Sequence, residues 1–132
     1  MSRHAFRIYQ ASPGDKQLTA VSKNGEQRAV SLATDVVNHS PTGIGFGYPG
    51  SGPAQTALSI LCDMFGEDLA SHPVHYQDLK FDIIAAQNPE RPFKLNSQQI
   101  IRYILDTVDL PDTVKTSLVK DWEPEFSGSN PT

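Results

Sequence analysis

The chain has one cysteine, Cys62, one tryptophan, Trp122, and no long apolar run. A lone cysteine excludes an internal disulfide and a cysteine-built zinc site. The longest apolar stretches fall far short of a membrane span, so no membrane association is expected. Positive charge is also scarce: 11 basic residues stand against 15 acidic ones, a formal net charge of −4. A general nucleic-acid binder carries a basic patch or stripe, so that class is disfavoured. An acidic surface suits solubility or a basic protein partner. The chain opens Met-Ser-Arg-His without an apolar stretch behind it, so no signal peptide is expected and the cytoplasm of the host cell is the default compartment.

What is present is enough for one domain. A chain of 132 residues buries roughly two-thirds of its unfolded surface. The apolar content, 38%, is modest, and ten prolines with nine glycines announce many turns. Residues 1–120 are expected to form the domain, with 121–132 as a mobile tail, because the end has two prolines, three acids and little to bury.

The first third reads as strands. Residues 4–10 alternate, with Phe6 and Ile8 on one face and Arg7 and Tyr9 on the other. Residues 18–22 and 28–32 flank Lys23-Asn24-Gly25-Glu26. Asn-Gly favours a hairpin because a type I′ turn needs positive φ at both central positions. The rest reads as helices. One starts at Pro53 and carries the stripe Ala54, Ala57, Leu58, Leu61, Met64 and Phe65. A second spans 73–87, with Tyr76, Leu79, Lys80, Ile83 and Ile84 on one face. A third opens at Asn96, with Gln99 completing a capping box and Leu95 and Ile100 forming a hydrophobic staple. A fourth covers about residues 112–120, docked through Val114 and Leu118. The expected fold class is α+β: an N-terminal three-stranded antiparallel sheet packed on three to four C-terminal helices.

Between sheet and helices lies a long connection, residues 33–52, with five glycines in its second half. Loops of that length inside a compact domain are commonly functional. Its end, Gly47-Tyr48-Pro49-Gly50-Ser51-Gly52-Pro53-Ala54-Gln55, feeds a helix start. Such a terminus leaves N–H groups without partners and carries partial positive charge, so it can hold phosphate or carboxylate. Pro53 removes one donor and leaves the amides of Ala54 and Gln55. No Gly-Lys-Ser/Thr follows, so this is not the NTPase phosphate loop.

The run TGIGFGYPGSGPAQTAL resembles the signature of a small prokaryotic domain family of unknown function, found in bacteria, archaea and their phages and plasmids. The family pattern is approximately P-T-G-F-x-W-G-Y-x-G-S-G-P-A-Q-x-A-L-A-x-L. The resemblance takes in the Asn-Gly hairpin, Asn38-His39-Ser40-Pro41, Tyr76-Gln77-Asp78-Leu79-Lys80 and residues 93–100, about residues 4–105 in all. Phe46 replaces the family's tryptophan, and Pro49 a glycine. The resemblance implies a mobile-element setting and no particular reaction.

Three functions remain open from sequence. The first is a non-enzymatic binding protein holding a small anionic or nucleotide-like ligand through Tyr48, Gly50, Ser51, Gly52, Ala54, Gln55 and His39, with a counter-defence role. The second is an inhibitor that binds a host defence or metabolic enzyme. The third is a small hydrolase using Ser51 or His39, although no Gly-x-Ser-x-Gly elbow is present. No catalytic residue, metal ligand or cofactor is assigned. His72 and His75, three apart, lack a third zinc ligand and suit capping or solvated roles. Asp63, Glu67 and Asp68 at the end of the first helix, and Asp78 and Asp82 in the second, suit solvated faces. Arg7, Arg28, Arg91 and Lys94 are the basic residues available to an anion site.

Overall fold

The structure, a computed structural model, describes residues 3–124. Four strands form one antiparallel sheet: β1 (Arg7–Ala11), β2 (Thr19–Ser22), β3 (Gln27–Ala29) and β4 (Phe93–Asn96), in the order β3-β2-β1-β4. The helices are α1 (Ser51–Phe65), α2 (Tyr76–Leu79), α3 (Ser97–Thr107) and α4 (Asp112–Asp121). The α+β class expected from the sequence is the class observed, with one strand more. That strand, β4, leads directly into the third helix, and Asn96 ends the one and caps the other. It alternates buried Phe93 and Leu95 with exposed Lys94, and it lies on β1 with Leu95 opposite Tyr9.

The inner face of the sheet is set by pairing. Tyr9, Ala11, Leu18, Ala20, Val30, Phe93 and Leu95 are all buried. Partners directly opposite share a face, so Arg7, Ser22 and Arg28 stand on that same inner face at one end of the sheet. Ile8, on the other face, is only half-buried. Helix α1 is the centre of the molecule: Gly52 through Leu61 are buried without interruption. A helix buried on all sides needs no amphipathic stripe.

Local chemistry explains the boundaries. Gly50 is the N-cap of α1, so the helix begins two residues ahead of Pro53. The capping box at Asn96 forms as expected, with Gln99 N–H donating to Asn96 Oδ1 at 2.8 Å and Asn96 N–H to Gln99 Oε1 at 2.8 Å. The β2–β3 hairpin is not type I′. Gly25 has φ +89°, whereas Asn24 is not among the positive-φ residues. Gly25 N–H donates to Ser22 O at 2.9 Å, and Ser22 N–H to Glu26 O at 2.8 Å. This is a type I-like turn followed by a glycine bulge. The Asn24 side chain stabilises it by meeting Ser22 Oγ and the Glu26 amide.

The second helix is shorter than the 73–87 expected. After α2 the backbone widens into a π turn, Lys80–Ile84, where Ala85 N–H reaches Lys80 O at 2.8 Å. α4 matches its expected span and buries Leu118, while Val114 stays 38% exposed. Trp122, assigned from sequence to a loose tail, is 2% exposed. His4 is held between Asp121 O at 2.7 Å and Glu123 N–H at 2.9 Å. Arg7 lies 5.0 Å over the indole. The expected mobility of the chain end beyond residue 124 falls outside the described residues. Among those described, no helix is long and apolar enough to cross a membrane.

Candidate functional site

The glycine-rich connection is closed by its own side chains. The Gln55 side chain is fully buried. Its Oε1 accepts from His39 N–H at 2.8 Å and Ser40 N–H at 3.0 Å, and its Nε2 donates to Leu32 O at 2.6 Å and Val37 O at 3.1 Å. One amide thereby satisfies four backbone groups of residues 32–40. Thr56 does the same for the next segment: its Oγ1 accepts Gly45 N–H at 3.0 Å and lies 2.6 Å from Gly45 O. Gly47 N–H donates to Ile84 O at 3.0 Å, fixing the loop to the π turn.

The glycines serve Tyr48. A Cβ on Gly50 would lie 2.6 Å from Tyr48 Cε2, and one on Gly45 2.5 Å from Tyr48 Oη. Gly52 packs beneath the same hydroxyl. The close approach expected for a ligand is made by the tyrosine ring instead. The amides of Ala54 and Gln55 are not the open donors expected: Ala54 N–H bonds Gly50 O at 3.2 Å, and both residues are buried within the helix. Helix α1 starts earlier than expected, so the orphan donors shift to Ser51 and Gly52. Of these, Gly52 is buried and Ser51 is exposed.

His39 does not meet Ser51. Its Nε2 is 2.6 Å from Tyr76 Oη, so the ring is committed to the start of α2. Ser51 and His39 therefore do not form the nucleophile and base a hydrolase requires. His75 caps α2, accepting Gln77 N–H on Nδ1 at 3.1 Å, and His72 Nε2 lies 2.7 Å from Gly66 O. Asp82 accepts from Tyr103 Oη at 2.7 Å, and burial together with that carboxylate pushes the phenol upward. Among the described residues no three metal-ligating side chains are grouped to hold a metal ion. Burial, then the charge of Glu67, pushes the Cys62 thiol up to about 11. It stays a neutral thiol at physiological pH.

The ionic centre lies at the opposite end of α1. Asp63 accepts from Tyr9 Oη at 2.6 Å, from Arg7 at 3.1 Å, and from Arg28 through both terminal nitrogens at 2.7 and 2.9 Å. Burial raises the carboxyl, but the hydrogen bonds from Arg28 and Tyr9 outweigh it and hold Asp63 below its ordinary value. The same contact raises Arg28, and burial beside Asp63 raises Tyr9 strongly. The sequence offers Arg7 and Arg28 to an anion at Gly50–Gln55 and Asp63 to solvent, whereas the structure joins the three. The available signal was strand alternation: Arg7 and Tyr9 share a face, and a charge on a buried face requires a partner.

Beside this centre the sheet ends in an open edge. Ser22–Glu26 and Leu18–Val30 are hydrogen-bonded pairs, and Ala20–Arg28 falls between them in register. Gln27 and Ala29 therefore direct their N–H and C=O groups away from β2. Neither residue's backbone has another partner among the described residues. Just past the end of β3 a hollow of about 190 Å³ lies against the C-terminal part of α1, lined by Val30, Ala33, Ser59, Cys62, Asp63 and Glu67.

The fold and this geometry define an α+β domain whose signature loop is sealed and whose sheet edge is open. The chain belongs to a family of unknown function, DUF6166, whose model matches residues 9–106. No curated protein and no solved structure matches it.

Proposed function

We propose that this protein is a non-enzymatic binding protein whose partner is another protein, engaged at the surface. The carrying observation is the outer edge of β3, where the backbone groups of Gln27 and Ala29 lie open beside a hollow. An open edge is a template for pairing with another chain. The net charge of −4 favours a partner with a basic face. In the phage or plasmid setting implied by the sequence resemblance, the partner is a host defence or metabolic enzyme in the cytoplasm, and binding inhibits it.

The other binding reading, a small anionic or nucleotide-like ligand at Gly50–Gln55, retains only the amides of Ser51 and Gly52, the latter beneath Tyr48. It ranks second. The full chain, immobilised, is exposed to host lysate, and the captured protein is purified and titrated back. The proposal expects saturable one-to-one binding and no change in Tm with a panel of nucleotides and cyclic dinucleotides. A nucleotide that raises Tm by several degrees, with no protein partner recovered, would overturn it.

A further inference from the structure

Building on the protein-binding reading, we infer that the groove between β3 and α1 receives an extended peptide segment of the partner as a fifth strand. That segment seats a lysine or arginine between Val30 and Glu67. Outward-facing groups recur every second residue along an antiparallel edge, so Gln27 and Ala29 both present theirs along β3. Sheet edges are usually defended by charged side chains, prolines or bulges. Here the outward-bonding residues are uncharged and contain no proline, and Arg28 is turned inward onto Asp63.

Residues opposite one another on an antiparallel pair share a face, so a peptide residue opposite Val30 points toward α1. The half-buried Cys62 offers apolar surface on the wall of the hollow for an aliphatic stem. Glu67, exposed just past the Gly66 C-cap of α1, has no ion-pair partner among the described residues. Asp63 is already saturated by Tyr9, Arg7 and Arg28, which leaves Glu67 as the carboxylate for an incoming cation. The peptide residue opposite Arg28 faces a guanidinium, so a basic residue is excluded there. Self-pairing through the same edge lacks this complementarity, since the only basic residue of β3 is engaged by Asp63.

The test is a displayed library of random decapeptides, selected on the full chain and synthesised for titration. Selected peptides are expected to carry one basic residue at a fixed position and to shift the NMR amide resonances of Gln27 and Ala29. Ala29→Pro removes an outward donor while sparing the β2 ladder, and should weaken binding at least about tenfold. Gln27→Pro serves the same purpose if Ala29→Pro does not fold. Glu67→Gln should weaken binding up to about fivefold, the range of an exposed ion pair, and selection on Glu67→Lys should return acidic peptides instead. Peptides that bind the proline variants equally well would overturn the groove and leave the protein-binding reading standing. An empty selection together with self-association lost on Ala29→Pro would assign the edge to a second copy and overturn the peptide. An empty selection with no partner in host lysate would overturn both readings.

Discussion

The two ends of α1 handle backbone polarity in opposite ways. At the N-terminal end, residues 32–56 arrange a run of loop amides and carbonyls around two side chains, Gln55 and Thr56, and the tyrosine ring of Tyr48 covers the glycines. At the C-terminal end, Asp63 draws in charged side chains from β1 and β3, while the neighbouring backbone edge is left open. A sequence signature rich in glycine invites a ligand-site reading. In this fold the signature packs the interior, and the open groups belong to a short strand with an unremarkable sequence. Glycine permits close approach of any group, and the approaching group here is part of the chain.

The largest expected effect tests the sealed end. Gln55→Leu keeps side-chain volume but strands four backbone groups, each worth about 1–3 kcal/mol if left unsatisfied. Destabilisation of at least about 3 kcal/mol by urea unfolding is expected, allowing for partial rescue by water. A change near that of a surface substitution would mean that the loop does not depend on Gln55.

Asp63→Asn is expected to cost about 2 kcal/mol. That is below the range of a fully buried pair, because the Arg28 side chain is 51% exposed and solvent screens part of the contact. The pH dependence has a definite sign. The folded carboxyl titrates below its ordinary value of 3.8, so its contribution is complete above that value and is lost as pH falls through the lower folded value. Acid unfolding of the wild type should therefore steepen below about pH 4, and Asp63→Asn should flatten that limb. Tyr48→Ala should cost about 1 kcal/mol, since the ring is 49% exposed. It should also uncover Ser51 and Gly52: a phosphate-induced rise in Tm confined to this variant would show that Tyr48 closes the loop to anions. The smallest effect is expected for Gln27→Lys on the open edge, within about 0.5 kcal/mol by thermal unfolding.

Much of the fold was legible where the signal is local. The capping box at Asn96 and Gln99 depends on residues three positions apart, and it is found. The Asn-Gly hairpin was located correctly, but its turn type depends on the Asn24 and Ser22 side chains. β4 was missed because four residues between Pro92 and a helix cap carry little pattern, and their partner Tyr9 is distant in sequence. Residues His39 and Gln55 were singled out, and the structure brings them together, with Gln55 Oε1 accepting the His39 amide. Their joint task could not be read locally, because it depends on where residues 32–40 return to α1. Asp63 reads as solvated in sequence because its partners come from two distant strands.

The contrast between the sealed loop and the open edge is tested most directly by native-state amide hydrogen exchange. The amides of His39, Ser40, Gly45 and Gly47 each have a protein acceptor. Those of Gln27 and Ala29 have none among the described residues. Strong protection of the first group, with Gln27 and Ala29 exchanging within the dead time while Arg28 is slowed, is the predicted result. Rapid exchange throughout residues 39–47, or protection of Gln27 and Ala29 in the free monomer, would contradict the account.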